Sequence, residues 1–585
     1  MLLSDTKISK LGMGKAAHWA AFLMIMILFC IYEYGIQKIC GFTMYPDEFG
    51  YWASAASVVG YDWSEAASLG SYYSFGYSLI LIPVLAVFAD GVMAYRAAVF
   101  INMLLMCVSV LLLGKLIGKV FPDTKIGVKV LVSGAAVLYP AWIFYMQMTM
   151  AEAVLMFVFS STVYLFYRFM EEQKVYTAIA LAAMLIYGYC VHMRTIGVVI
   201  ACAIVFRYRL IREKGNKKAL FIWFGVAVLL FSLAVLLKNR TVTSVYSYAD
   251  QDVLDGNDYG GQLGKIEEIL TLDGLKKFIP GLIGKLYYLG ISSFGTFYWA
   301  LAWCVRESIQ TFRFGKKDKG DILPRQWLAL FILLAVIGQV LISSIYMYNP
   351  GNIDMLVYGR YNELFVPVTI MIGIMVMSRS RHLIPVTVCI GAALGGITFL
   401  MLRVIERRNL SGIRGYHVPG ISYFLQENNV DVRLFFWRTW LLGFGLILLV
   451  CLFVWLGRWR VSTWWLYAGV LAIEIAAGLQ ISNHYTYQVN VTNYENLIIA
   501  ELLQDQNGEN VSILYLEEGN PPFVDFLQMQ IPEETIHVIT EDELSSVNSR
   551  NCLVIADGDS EQDETLKDLF DKKITTNVFC LYYNQ

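Results

Sequence analysis

Two adjacent carboxylates, Asp47 and Glu48, follow a proline in the segment MYPDEFGYW. Neighbouring carboxylates raise each other's pKa, so one can accept a proton from a hydroxyl group while the other orients it or holds a metal ion. The pair predicts general-base catalysis by Asp47 with Glu48 as its partner, with or without a divalent cation bound to both. A solvated pair at a membrane surface would have the same sequence, so the motif alone leaves both interpretations open.

Three arginines offer planar donors of the kind that bind phosphate oxygens in pairs. They are Arg96 in AYRAAV, Arg194 in VHMRT and Arg360 in YGRYNELFVP. We predict that they bind the phosphate of a substrate and stabilise its charge when it leaves. The alternative is that each arginine only anchors the end of a membrane helix, with its charged group reaching the interface.

Glu152 in AEAVL, His192 in VHMRT and Tyr361 beside Arg360 complete the candidate substrate-binding set. Glu152 opens an apolar run, where an acidic residue also stabilises a helix N-terminus without any further role. A helix-end histidine such as His192 is more often structural than catalytic. These residues lie far apart in the sequence, and only the membrane topology can bring them together.

The composition places most of the chain in lipid. Hydrophobic residues make up 57% of the 585 residues and charged residues only 16%, with a mean hydropathy of +0.55. Apolar runs of about 20 residues span a bilayer, and we predict about thirteen such spans. They are residues 16–37, 97–116, 127–148, 150–167, 175–193, 196–211, 219–238, 280–304, 326–347, 364–378, 383–402, 437–457 and 463–481.

Basic residues predict the orientation of these spans. If the N-terminus is cytoplasmic, the inward segments hold 25 Lys and Arg in 76 residues, which satisfies the positive-inside rule. The chain is then an integral protein of the plasma (cytoplasmic) membrane with its C-terminal domain outside. Every candidate residue falls at the outer end of a span or in the first outer loop, residues 38–96.

Two segments complicate this topology. Residues 74–93 are apolar, but a further crossing there would turn the basic loops outward, so we predict a re-entrant or membrane-lying helix. The outer loop 403–436 is unusually basic, which indicates either a miscounted span or arginines that serve an anionic ligand. Its arginines, with the one just beyond, are Arg403, Arg407, Arg408, Arg414, Arg433 and Arg438.

The C-terminal part has a different composition. From Tyr494 to Gln585 there are 19 acidic and 4 basic residues, and VSILYL, ETIHVIT, CLVIA and VFCLYY alternate with helical segments. We predict a transmembrane body, residues 1–481, and a small acidic extracytoplasmic α/β domain, residues 482–585. Cys552 and Cys580 lie in its strand-like runs, where buried thiols are favoured over a disulfide.

The candidate motifs together resemble the GT-C superfamily of polytopic glycosyltransferases, which includes protein O-mannosyltransferases and aminoarabinose transferases. The resemblance rests on the acidic pair in PDEFGYW after the first span, the arginine of AYRAAV, the glutamate of AEAVL and the late Arg-Tyr of GRYNELFVP. It covers residues 16–480 and implies a GT-C-like α-helical polytopic fold. The Lys-Pro-Pro stretch that several relatives carry in the first outer loop is absent, and SYYSFGYS stands in its place.

The resemblance implies an inverting glycosyltransferase that moves a sugar from a polyprenyl-phosphate donor to a glycan, lipid or protein acceptor of the cell envelope. It assigns Asp47 as the catalytic carboxylate and Glu48 as its partner. Arg96, Glu152, Arg360 and Tyr361 match family positions, and Arg194 stands where relatives have a lysine after the fifth span. Membrane lipids are the other expected partners.

Two other classes stay open: a flippase or transporter for lipid-linked glycans, and a non-catalytic membrane scaffold. A transporter would favour paired inverted repeats and broken midplane helices, and no internal duplication is evident. A scaffold would leave the outer-loop residues dispensable. Nucleic acid is excluded as a partner because the net charge of −2 supplies no overall basic excess.

Overall fold

The computed structural model describes residues 5–70, 72–212, 217–249, 260–314, 322–425, 431–457, 464–505, 511–518 and 524–584. Helices form most of the described residues between 5 and 505. Their bounds are Asp5–Ile36, Tyr45–Val59, Ser64–Ser68, Ser78–Val87, Gly91–Val120, Ile126–Val137, Pro140–Tyr145, Ala151–Glu172, Val175–Val191, Ile196–Arg212, Lys217–Val245, Gly260–Ile269, Leu272–Ser292, Thr296–Phe314, Pro324–Tyr346, Ile353–Leu356, Val366–Met377, Leu383–Arg408, Val432–Gly457, Trp464–Ser482, Gln488–Tyr494 and Leu497–Asp505.

Short 3-10 turns join several of these helices. They are Met193–Thr195, Arg360–Phe365, Gly415–His417 and Ser422–Phe424, and a π-helical segment, Asn483–Tyr487, links two of the last helices. The turn Met193–Thr195 begins next to the predicted site residue His192, and the turn Arg360–Phe365 begins at the predicted site residue Arg360. They place the side chains where one helix ends and the next begins.

Eight helical segments of the described chain are long and apolar enough to cross a membrane. The count of thirteen spans stays a prediction, since other predicted spans correspond to shorter or broken helices such as Val175–Val191. The eight are His18–Ile36, Gly91–Val120, Ala151–Glu172, Lys217–Val245, Pro324–Tyr346, Ile353–Met377, Leu383–Arg408 and Val432–Leu449.

Side-chain contacts distinguish the two ends of the helical body. At one end, Lys119 bonds Glu171 at 2.5 Å and Arg379 donates to Thr124 at 2.9 Å. The opposite end carries the first loop, the turn at Met193 and the C-terminal sheet. All the predicted catalytic and substrate-binding residues belong to this second end, which we call the loop end.

Within residues 74–93, a ten-residue helix, Ser78–Val87, precedes the start of the Gly91–Val120 helix. At 1.5 Å per residue it is about 15 Å long, half the thickness of the hydrocarbon core. Its entry is held at the loop end, where the Gly76 N–H donates to the carbonyl of Cys190 at 2.7 Å. The segment therefore packs within the loop end.

The C-terminal domain contains a five-stranded sheet. Its elements are β1 Ser512–Leu516, β2 Ile536–Ile539, β3 Cys552–Asp557, β4 Lys572–Thr575 and β5 Phe579–Tyr583, with helices Val524–Gln530, Glu541–Leu544 and Asp563–Leu569. Strands β1–β3 are parallel, whereas β5 is antiparallel to β3 and β4, in the order β2-β1-β3-β5-β4. The sequence predicted four of these strands and missed β4.

The sheet domain contacts the first loop directly. The Trp63 indole donates to the Pro532 carbonyl at 2.9 Å, and the Gln530 amide donates to the Cys40 carbonyl at 3.1 Å. Inside the domain Cys552 and Cys580 are buried free thiols. The domain therefore braces the loop that carries Asp47.

Candidate active site

Asp47 lies in the first turn of the Tyr45–Val59 helix, where Pro46 fits because that turn needs no backbone N–H partner. The Tyr73 hydroxyl donates to its Oδ1 at 2.5 Å, and the Arg360 guanidinium forms an ion pair with Oδ2. The side chain keeps 16% of its surface exposed. Asp47 is therefore oriented by two partners and still reachable.

Glu152 joins the two arginines that flank it. Its Oε1 accepts from Arg194 Nη2 at 2.8 Å and from Arg360 Nε at 2.9 Å, and its side chain is 1% exposed. With Asp47, the groups form a chain of alternating charge: Asp47, Arg360, Glu152, Arg194. Two positive and two negative charges balance, which is how buried charges are tolerated.

Arg194 ends this charge chain with donors to spare. Its Nε and Nη1 are buried and bond to no group in the described part of the chain, and its guanidinium lies 4.3 Å from the centre of the Tyr361 ring. A buried guanidinium N–H without an acceptor is costly. Guanidinium donors of this kind are suited to binding an anion.

A cavity of about 350 Å³ opens beside this series of charged side chains. Charged groups, aromatic rings and aliphatic side chains divide its wall. The lining residues are Asp47, Tyr51, Tyr72, Tyr73, Ser74, His192, Met193, Arg194, Ile266, Ile342, Ile345, Tyr346, Met347, Tyr358, Arg360, Tyr361 and His417.

The cavity brings together five of the eight predicted site residues. They are Asp47, His192, Arg194, Arg360 and Tyr361. Glu152 lies behind the wall and contacts both arginines. The remaining two, Glu48 and Arg96, lie elsewhere.

Glu48 was predicted to be catalytic, and the structure places it outside the cavity. Its carboxylate is fully buried and accepts five hydrogen bonds of 2.5–2.8 Å, from Thr43 N, Met44 N, Tyr95 Oη, Thr149 N and Thr149 Oγ1. Burial raises the pKa of Glu48, and these donors oppose the rise. Glu48 fastens the Tyr45–Val59 helix to its neighbours.

These five donors also decide against a cation shared by Asp47 and Glu48. Both Glu48 oxygens are occupied, and Asp47 is bonded by Tyr73 and Arg360. No group of three or more His, Cys, Asp or Glu side chains suited to a metal ion occurs among the described residues. The acidic pair does not fit the predicted divalent cation.

Glu48→Gln should destabilise the protein. The new amide would point an NH₂ group at N–H and O–H donors and leave them without acceptors, at about 1–3 kcal/mol for each buried group. We expect a lower melting temperature in lipid nanodiscs. The exposed Glu564→Gln serves as control, and equal melting temperatures for the two variants would contradict the assignment.

Arg96 was predicted to bind the donor phosphate, but it bonds main-chain carbonyls instead. Its Nε donates to Ile39 at 2.8 Å and its Nη2 to Gln37 at 3.3 Å. It does not line the cavity. Arg96 holds the end of the first helix, which is the anchoring role that the sequence left as the alternative.

The basic loop 403–436 contains no further span among its described residues, and none of its arginines lines the cavity. Arg433 bonds Glu406 at 2.6 Å, and Arg408 donates to the Lys276 carbonyl at 2.7 Å. The loop instead contributes His417 to the cavity wall. The anionic-ligand interpretation of these arginines therefore has no support from their positions.

Several cavity residues escaped the sequence reasoning. Tyr73 bonds Asp47, Tyr358 lies between the Tyr361 and His417 rings, and Asp354 bonds His417 at 2.5 Å. Tyr73 lies in the Tyr-rich stretch SYYSFGYS, where the aromatic content was a usable signal. Nothing local pairs Asp354 with His417, because 62 residues separate them.

No protein-family model and no curated protein matches this sequence. Among solved structures, the chain is similar to ArnT from Cupriavidus metallidurans in the apo state, with a TM-score of 0.55, 12% identity, and 97% of this chain and 98% of that chain covered. It has the GT-C fold. The predicted fold class, a helical membrane protein with a small C-terminal α/β domain, is thereby confirmed.

Two further solved structures are similar to the chain. ArnT from the same organism bound to undecaprenyl phosphate gives a TM-score of 0.52 at 12% identity, with the same coverage of both chains. The archaeal oligosaccharyltransferase AglB from Archaeoglobus fulgidus, in complex with an inhibitory peptide and a dolichol-phosphate, gives 0.45 at 10% identity over 93% of this chain and 70% of that chain. At 12% identity the likeness to ArnT shows the fold alone, and the roles of residues rest on geometry.

Proposed function

We propose that the protein is a glycosyltransferase of GT-C type that transfers a sugar from a polyprenyl-phosphate donor, with inversion, to a cell-envelope acceptor. The carrying observation is Arg194, whose two unpaired buried donors lie at a cavity shared with Arg360 and Asp47. The GT-C fold and the ArnT structure bound to undecaprenyl phosphate support a lipid phosphate as the anion.

The two arginines would bind the donor phosphate. As the bond from the anomeric carbon to the phosphate oxygen breaks, its electron pair goes to the phosphate, and preorganised guanidinium donors stabilise that charge. Arg194 offers free donors, while Glu152 fixes both guanidinium planes from behind. Tyr361 supports Arg194 through its ring.

Asp47 would accept the proton of the acceptor hydroxyl. The hydroxyl oxygen attacks the anomeric carbon on the face opposite the phosphate, and Asp47 is the carboxylate that lines the cavity. Its ion pair with Arg360 couples the two halves of the reaction, since one guanidinium would contact both the base and the leaving phosphate.

The aliphatic part of the wall suits the lipid. Ile342, Ile345 and Met347 lie at the end of the Pro324–Tyr346 helix or just beyond it, beside the arginines. A prenyl chain entering along them would remain in apolar surroundings while its phosphate reached the guanidinium groups.

Turnover tests the proposal directly. Purified protein in nanodiscs should convert at least one member of a panel of polyprenyl-phosphate sugars into a glycosylated acceptor with inverted anomeric configuration, and EDTA should leave the rate unchanged. Absence of turnover, combined with transbilayer movement of a labelled lipid-linked glycan in proteoliposomes, would favour the transporter alternative.

We predict that the loop end faces outward. Cysteine placed at exposed Ser545 in the sheet domain should react with an impermeant maleimide in intact cells, in a background where the exposed Cys30 and Cys389 are replaced by serine. Lys218→Cys, at the other end of the body, should react only after permeabilisation. The reverse pattern would overturn the orientation.

A further inference from the structure

A histidine–carboxylate pair forms part of the cavity wall and has no role in the scheme above. His417 Nδ1 lies 2.5 Å from Asp354 Oδ2. Asp354 is fully buried, and His417 lines the cavity with 11% of its side chain exposed. The two residues come from separate segments, the Ile353–Leu356 helix and the Gly415–His417 turn.

The backbone holds these two segments together. The Ile353 N–H donates to the Gly412 carbonyl at 3.1 Å, and the Gly359 N–H donates to the His417 carbonyl at 3.0 Å. The rings of Tyr358 and Tyr416 flank the imidazole at 5.0 and 4.5 Å. The ring is thus fixed in place by bonds on either side of it.

The buried Asp354 carboxylate favours the protonated form of the His417 imidazole. Asp354 Oδ1 bonds to no described group, and no arginine or lysine among the described residues lies within ion-pair distance of Asp354. A buried carboxylate requires a compensating charge, and His417 is the group positioned to supply it. With Nδ1 directed at Asp354, Nε2 is the nitrogen left for the cavity.

We propose that the Asp354–His417 pair is a third, pH-dependent cation of the donor-phosphate site, with the imidazolium Nε2–H donating to a phosphodiester oxygen. The proposal rests on the proposed function and deepens it. In the reaction, the electron pair of the breaking bond goes to the phosphate while the proton stays on His417. Asp354 acts as a positioning residue.

A pH dependence that came from another group around the imidazole would persist in a His417 variant. Arginine and tyrosine titrate far above neutrality, and Asp47 is paired with Arg360. Lys285 donates to the carbonyls of Gly281 and Met355 and does not line the cavity. The titratable and charged groups facing or near the pair are Asp47, His192, Arg194, Lys285, Tyr358, Arg360, Arg414 and Tyr416.

His192 is the matched control, because it is a second imidazole on the same cavity. Its Nδ1 accepts a hydrogen bond from the Arg194 N–H at 3.4 Å, which requires a lone pair on that nitrogen. It therefore has the opposite polarity from the imidazolium assigned to His417. Replacing it should leave a pH effect that belongs to His417 intact.

The test is the affinity for a decaprenyl methyl phosphodiester, whose charge is constant between about pH 5.5 and 8.5, measured on the full-length protein in nanodiscs. The protonated imidazole is the cationic form and is lost as the pH rises, so wild-type affinity should fall about tenfold or more between about pH 5.5 and 8.5. His417→Gln should bind weakly at both limits and show no fall. Melting temperatures establish that each variant folds.

Two further variants sharpen the result. Asp354→Asn should move the fall in affinity to lower pH, because the imidazolium loses its carboxylate partner. His192→Gln, which can change the affinity itself, should keep the fall in affinity with rising pH. A flat wild-type profile, or a fall that persists in His417→Gln, would overturn the inference while turnover of polyprenyl-phosphate sugars left the proposed function standing. Failure of the wild type to bind the phosphodiester at any pH would overturn the inference, and failure of turnover as well would overturn the proposed function.

Discussion

Asp47→Asn should reduce kcat on the order of 10²-fold or more while the protein stays folded. An amide nearly reproduces the shape of the carboxylate and can still accept from Tyr73, but it cannot take a proton from the acceptor hydroxyl. It also removes the negative charge beside Arg360. The measurement is turnover of a polyprenyl-phosphate sugar, with the melting temperature taken on the same preparation.

The first loop supplies a matched control for this variant. Asp62 accepts from the Ser64 hydroxyl at 2.6 Å and does not line the cavity. Asp62→Asn should leave kcat within about twofold of wild type, as expected of a surface change away from the reacting groups. Near-normal turnover by Asp47→Asn would remove Asp47 from the mechanism as the base.

Glu152→Gln should have the largest effect on stability. Glu152 Oε1 is shared by two buried guanidinium groups, so loss of its charge leaves Arg194 and Arg360 with only Asp47 to balance them. Breaking a buried ion pair by removing one partner costs about 3–5 kcal/mol. We expect a marked fall in melting temperature and, in the molecules that fold, weaker binding of the donor.

The same substitution at Glu172, which pairs with Arg168 and Lys174 at the other end of the body, gives the comparison. Surface ion pairs contribute little, so Glu172→Gln should melt like the wild type. If Glu152→Gln also had the melting temperature of the wild type and kept its donor affinity, the charge chain would not be what holds the arginines in place.

The sequence was sufficient to predict the fold class because long apolar runs and the placement of basic residues are local signals. It failed at Glu48 for a geometric reason. Successive residues on a helix point about 100° apart, so in the first turn of the Tyr45–Val59 helix Asp47 faces the cavity while Glu48 faces Tyr95 and Thr149. Two residues that are adjacent in the sequence therefore lie in two different environments.

The remaining site features depend on long-range pairing. The sequence identified Arg194, Glu152 and Arg360 as candidates but not that one carboxylate oxygen joins both arginines. The Asp354–His417 contact depends on two loops that the backbone brings together at Ile353 and Gly412. Such pairings are set by tertiary packing, which no local pattern of residue types encodes.

The alternating charges also bear on how the protein is made. Their members come from residues 47, 152, 194 and 360, so the ribosome must pass position 360 before the set is complete. Until then Asp47 and Glu152 lack Arg360, the one group that contacts both. A chain halted earlier during membrane insertion therefore lacks the arrangement proposed above to bind the donor phosphate.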